Sequence, residues 1–176
     1  MRLHAYAMTA ALAASVTVGL AAQPAPEQRP SPPGTVKATL NGATITIDYS
    51  RPSVRGRKIM GALVPYGQVW RTGANEATSL TTDKAIDIGG LAVPAGKYTL
   101  YTLPGESEWK LIVNKQTGQW GTDYDEKQDL GRVTLKKAAT AAPVEQFTIS
   151  IDKAATGGTL TLAWENTELT APITVK

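Results

Sequence analysis

The sequence predicts an all-β fold, an antiparallel β-sandwich with a partly closed β-barrel as the alternative, and three observations carry that prediction. Apolar residues recur at every second position through most of the chain after Gly34. Dipeptides containing Gly or Pro cut these runs into short pieces, and no window of eleven or more residues beyond the N-terminal stretch shows helical periodicity. About eight to ten short strands, with two long irregular loops among them, fit that pattern.

The chain opens with Met1-Arg2-Leu3-His4 and then runs small and apolar from Ala5 to Ala22. A charged start, an apolar centre and Ala-rich final positions read as a secretory signal peptide over residues 1–22. Thr9, Ser15 and Thr17 interrupt the run and no basic flank follows it, which argues against a membrane anchor. Residues 23–34 (QPAPEQRPSPPG) read as a stiff proline-rich linker. A single β-sandwich domain is expected over 35–176, a length that buries roughly two thirds of its unfolded surface.

Within that domain, Val36, Ala38 and Leu40 alternate with polar neighbours, Asn41-Gly42 supplies a type I′ turn, and Ile45, Ile47 and Tyr49 alternate on the way back. Short strands follow at Thr78–Thr82 and Ala85–Ile88, before a Gly89-Gly90 break. Pro94-Ala95-Gly96 turns into a strand over Lys97–Leu103, and Trp109, Leu111 and Val113 form the inward face of the next. Gln116–Gln128 is polar, carries Trp120 and Tyr124, and reads as a long loop with one helical turn after Thr122. Val133 and Leu135 mark a short strand, Lys136–Pro143 an Ala-rich connection, and the runs around Phe147–Ile151 and Leu160–Trp164 a second hairpin across Gly157-Gly158. Ile173 and Val175 end the chain. Trp109, Phe147 and Trp164 sit in apolar alternations and belong to the core.

Composition removes several chemistries. There is no cysteine, and the single histidine, His4, lies in the leader. A Ser-His-Asp or Cys-His site therefore lacks its base, and zinc or copper sites of imidazole and thiolate are excluded. No cofactor is expected. A net charge of +3, which falls to +2 without Arg2, gives no footprint for nucleic acid. A hydrolase would have to work with carboxylates: Glu76, with Asp123, Asp125, Glu126 or Asp129 from the second loop.

One stretch differs in kind from the rest. Tyr49–Thr78 holds four glycines, two prolines and four arginines between two strands, and carries a net charge of +4. A loop this long in a compact domain is normally functional. Arg51, Arg57 and Arg71 offer planar donors suited to carboxylate, sulfate or phosphate, with Asn75 and Glu76 beside them and Tyr66 and Trp70 as aromatic neighbours. Trp120 and Tyr124 extend this candidate ligand-binding set from the second loop, which is expected to lie near the first. The competing reading makes the stretch a structural plug in which Arg71 pairs with Glu76 or Asp48.

Ser50-Arg51-Pro52-Ser53, Gly56-Arg57, Leu63-Val64-Pro65-Tyr66-Gly67 and the run Val69–Thr78 (VWRTGANEAT) resemble the signature of a bacterial family of secreted proteins known as a domain of unknown function. Pro94–Tyr98, Trp109–Asn114 and Trp120-Gly121 with Tyr124 extend the likeness, which covers roughly Thr35 to Leu135. The resemblance implies an exported location, periplasmic or extracellular, and transfers no catalytic residue. The expectation is a non-catalytic binding or envelope-associated module for a small anionic ligand or acidic glycan, with no membrane span once the leader is removed. A carboxylate-dependent glycan hydrolase and a purely structural domain are the alternatives. The sequence leaves the oligomeric state open.

Overall fold

The computed structural model describes residues 29–176; the signal peptide expected over 1–22 and residues 23–28 lie outside the described part. Nine strands run in chain order: β1 (Pro33–Leu40), β2 (Ala43–Ser50), β3 (Ser79–Thr82), β4 (Ile86–Ile88), β5 (Leu91–Val93), β6 (Gly96–Leu103), β7 (Trp109–Asn114), β8 (Asp129–Ala154) and β9 (Gly157–Val175). Every pairing is antiparallel, and the lateral order is β1-β2-β3-β6-β7-β8-β9-β4-β5. The sheet is open, with β1 and β5 at its edges, so the partly closed barrel is not what forms.

Two turns show how local sequence sets this register. Asn41 and Gly42, at φ 44° and 78°, make the two-residue turn of the β1–β2 hairpin. Gly89 and Gly90, at φ 56° and 94°, do the same between β4 and β5, where the sequence shows only a break. A single 3₁₀ turn at Glu126–Gln128, capped by the Asp125 carboxylate accepting from Lys127 N, is the helical turn expected in the second long loop.

The sheet folds back on itself through β8 and β9. Residues Asp129–Leu135 of β8 pair with β7, whereas Lys136 onward pairs with β9. The two halves then face each other across one core. Tyr49 of β2 meets Phe147 of β8 edge-on at 5.8 Å, and its hydroxyl accepts from Ile149 N at 3.0 Å. Ile45, Ile47, Leu80, Leu100, Leu111 and Trp109 from one half share that core with Phe147, Ile149, Leu160, Leu162 and Trp164 from the other. Trp109, Phe147 and Trp164 are all buried, as the alternations require.

Two features differ from the sequence expectation. β8 and β9 are long, 26 and 19 residues, and not short. Lys136–Pro143 is therefore strand, not connection. Lys136 to Ala139 pair with Thr170 to Thr167, and the ladder slips between Ala139 and Val144, where Pro143 cannot donate a hydrogen bond. The proline-rich segment also docks sooner than composition suggests. β1 begins at Pro33, the Pro32 carbonyl accepts from Arg51 N, and Pro30 O accepts from the Arg55 guanidinium.

Residues 51–78 leave β2 and return to its neighbour β3, whose Ser79 pairs with Asp48. The excursion is pinned along its length. Phe147 N donates to Pro52 O, Val54 N donates to Glu145 O, and Trp70 exchanges both backbone hydrogen bonds with Thr102 of β6. Ile59 and Val64 are fully buried in the core. Among the described residues no helix is long and apolar enough to cross a membrane.

Candidate functional site

The excursion and the loop after β7 meet. Gly121 N donates to Asn75 O, Ala77 N donates to Gln119 O, and Glu76 and Trp120 form an antiparallel bridge pair. Gly121 is required by the closeness of this meeting. A Cβ there would lie 2.7 Å from Arg71 Cδ and 2.7 Å from Asn75 O.

The Trp70–Thr78 segment is shaped by backbone that few residues adopt. Thr72 has φ 54° and Asn75 φ 58°. A β-branched residue in that region is strained, and the surroundings must hold it there. Thr72 is wholly buried, its hydroxyl 3.3 Å from Trp70 O and 3.2 Å from Thr102 Oγ1, and its carbonyl accepts from Thr78 Oγ1 at 2.8 Å. Asn75 Nδ2 donates to Ser31 O and Ser50 Oγ, both at 3.2 Å.

Two clefts flank this meeting point. The first, about 400 Å³, is bordered by Arg57, Arg71, Trp70, Tyr101, Tyr124 and Trp164, together with small and apolar residues including Pro52 and Ala74. No carboxylate lies among its lining residues. Trp70 stacks on Trp164 at 5.7 Å and meets Phe147 edge-on at 5.1 Å, so the ring belongs to the core and to the cleft wall together. Tyr101 and Tyr124 pack edge to face at 4.9 Å.

The second cleft, about 510 Å³, opens on the outer face of the sheet and is bordered by Arg29, Asp48, Glu76, Lys97, Thr99 and Gln119, among others. Its floor follows the strand register. Thr35 pairs with Asp48, Asp48 with Ser79 and Ser79 with Thr99, so four polar side chains lie in one row across β1, β2, β3 and β6.

The three arginines of the candidate set have different surroundings. Arg51 lines neither cleft. Its Nε donates to Phe147 O at 3.3 Å and its terminal nitrogen to Thr148 Oγ1 at 3.1 Å, tying the excursion to β8. Arg57 donates to Val54 O and Ser53 O while bordering the first cleft. Arg71 is half-buried at that cleft and has no hydrogen-bond or ion-pair partner among the described residues.

The ion pair offered by the plug reading is therefore absent. Glu76 instead receives the Arg29 guanidinium on both oxygens, at 2.8 and 3.1 Å, and Asp48 accepts from Thr35 Oγ1. The bonds from Arg29 hold the Glu76 carboxyl below the ordinary carboxylate range.

Tyr124 is fixed by a network behind the cleft. Its hydroxyl donates to Asp129 Oδ2 at 2.7 Å and accepts from Arg132, which also reaches Glu126. Burial, and then the bond to Asp129, push the Tyr124 phenol up to about 12. Burial raises Tyr101 as well. Asp125, Glu126 and Asp129 are thus engaged as caps and pair partners, and neither they nor Asp123 lines the cleft that holds Glu76. Among the described residues no group of three His, Cys, Asp or Glu side chains is placed to hold a metal ion.

Of the nine residues singled out from sequence, Arg57, Trp70, Arg71 and Tyr124 line the first cleft and Glu76 the second. Arg51, Asn75 and Trp120 lie between them, and Tyr66 packs over Gly61 and lines neither. Sequence reasoning missed Arg29, Tyr101 and Gln119. The alternation of β6 carried one signal, since Thr99 and Tyr101 fall on the face opposite Leu100. Nothing local marks Arg29, whose partner is 47 residues away.

Comparison with curated proteins and with solved structures returns no match. A family model described as "Protein of unknown function (DUF2911)" matches residues 31–173, nearly the whole described chain, and the protein belongs to that family.

Proposed function

We propose that the protein is an exported, non-catalytic binding module whose Arg71 cleft receives the acid group of a small anionic ligand or acidic glycan. One observation carries this reading: a half-buried guanidinium with no partner among the described residues borders a cleft of four aromatic side chains whose described lining holds no carboxylate. A planar fork of donors captures a carboxylate or sulfate through paired hydrogen bonds, and aromatic walls suit the ring that bears it. Arg57 adds a second positive charge at the rim. The hydrolase alternative gains no comparable support, because Glu76 is held by Arg29 in the other cleft and the acids of residues 123–129 line neither.

The test is calorimetric titration of wild type and Arg71→Ala with galacturonate, benzoate, sulfate and phosphate. Binding of at least one anion, weakened about tenfold or more by Arg71→Ala, is expected for loss of a charge-assisted pair. Absence of binding to all four, or affinities that Arg71→Ala leaves unchanged, overturns the proposal.

A further inference from the structure

The two clefts are neighbours across a ridge one residue thick. Four separate chain segments each place one residue in the Arg71 cleft and another, two positions away, in the second cleft. These pairs are Ser31 and Pro33, Pro52 and Ser50, Ala74 and Glu76, and Gly121 and Gln119. The residues between them, Pro32, Arg51, Asn75 and Trp120, form the ridge, and they are bonded to one another and to the rims. Arg51 N donates to Pro32 O, Asn75 Nδ2 bridges Ser31 O and Ser50 Oγ, and Gly121 N donates to Asn75 O. Two extended residues span about 7 Å, so the rims lie within one small ring of each other.

Trp120 stands on this ridge 48 % exposed, one of two exposed large apolar side chains among the described residues, the other being Leu63 at the Arg71 cleft. The second cleft differs chemically from the first. Its floor carries hydroxyls and the Asp48 carboxylate in a row, Lys97 lies on the adjacent row, and Gln119 stands at its wall. Gln119 Nε2 donates to Thr99 Oγ1 and Tyr101 OH, and its Oε1 is buried with no donor among the described residues.

We infer that the two clefts are one groove for a linear acidic polysaccharide, with an acid group at Arg71, a ring over Trp120 and hydroxyl-bearing units on the Asp48–Thr99 row. This rests on the Arg71 reading and extends it from a small ligand to a chain. Sugar hydroxyls need donors and acceptors together, which the second cleft supplies, and aromatic rings suit sugar faces. An acidic peptide brings carboxylates as the polysaccharide does, but few hydroxyls to engage the floor.

The experiment titrates the protein with galacturonic acid, its linear trimer and its linear hexamer, with the matching mannuronic acid series, and with hexaglutamate as the peptide control. In at least one sugar series the hexamer is expected to bind at least about tenfold tighter than the monomer, because joined units act at high effective concentration. Lys97→Ala, at an exposed position of the second cleft, is expected to erase that gain and leave monomer affinity unchanged, and Trp120→Ala is expected to erase the gain. Arg71→Ala weakens every length. Arg71-dependent binding with no gain from monomer to hexamer overturns the groove and leaves the small-ligand reading standing. Hexaglutamate binding as tightly as either sugar hexamer overturns the polysaccharide class. Absence of any Arg71-dependent sugar binding overturns the groove, and the anion panel then decides the small-ligand reading by itself.

Discussion

Replacing Arg51 and Arg71 separately by Ala tests whether two arginines of one stretch do different work. Arg51 makes two hydrogen bonds from its guanidinium, at 3.3 and 3.1 Å, longer than the strongest charge-assisted bonds. At that length each is taken at about half the low end for a bond to a charged group, so the two together are worth about 1.5 kcal/mol. Its stem packs on Gly34, where a Cβ would lie 2.7 Å from Arg51 Cδ, and partial burial of two methylenes adds about 1 kcal/mol. Arg51→Ala should therefore cost about 2.5 kcal/mol. Arg71 loses no hydrogen bond, only the contact of its stem with Gly121, so Arg71→Ala should cost about 0.5–1 kcal/mol. Urea unfolding followed by tryptophan fluorescence reads both, since Trp70 stacks on Trp164 beside the excursion. A cost for Arg71→Ala equal to that for Arg51→Ala would make Arg71 a structural residue and remove the basis of the cleft reading. Costs in the reverse order would refute the assignment of Arg51 as a tie between the excursion and β8.

Three further outcomes follow from the geometry. Tyr124, pushed up to about 12, should deprotonate later than an ordinary tyrosine near 10, so stability is intact below about pH 10 and falls as pH rises toward 12. Tyr124→Phe should flatten that alkaline loss, as measured by unfolding across the range with absorbance of the phenolate. The lowered Glu76 carboxyl gives the opposite sign: its contribution is present above the usual carboxylate range and is lost as pH falls through its folded value. Because the Arg29–Glu76 pair is exposed, Glu76→Gln should cost less than about 1 kcal/mol in unfolding at neutral pH. Gly89→Ala should cost about 2–3 kcal/mol and Gly42→Ala only about 1 kcal/mol. Both have positive φ, but a Cβ at Gly89 would sit 2.4 Å from Val133 Cγ1, whereas at Gly42 it meets only the far end of the long Lys84 side chain at 3.1 Å. Thermal melts of the two variants compare them directly.

The antiparallel all-β class, the Asn41-Gly42 hairpin and the buried Trp109, Phe147 and Trp164 were legible in the sequence. Each is governed by neighbours at positions one and two along the chain, through alternation and through residues that tolerate positive φ. The oddness of residues 49–78 was legible as well, from charge and loop length, whereas the meeting of that stretch with the Trp120 loop was an expectation with no residue pattern behind it. The Ala-rich part of β8 was not, because small side chains give no alternation and the segment is strand only through its pairing with Thr167–Thr170 of β9. Nor could sequence distribute the charges. Arg71 and Glu76 are five positions apart, yet the left-handed turn at Asn75 sends Ala74 to one cleft and Glu76 to the other, where Arg29 is waiting from the N-terminal segment. Local pattern determined which residues make sheet and core. Only tertiary structure decided which guanidinium is used up holding the fold and which is left facing a cleft, because a hydrogen bond between residues 47 or 96 positions apart leaves no trace in the order of either segment.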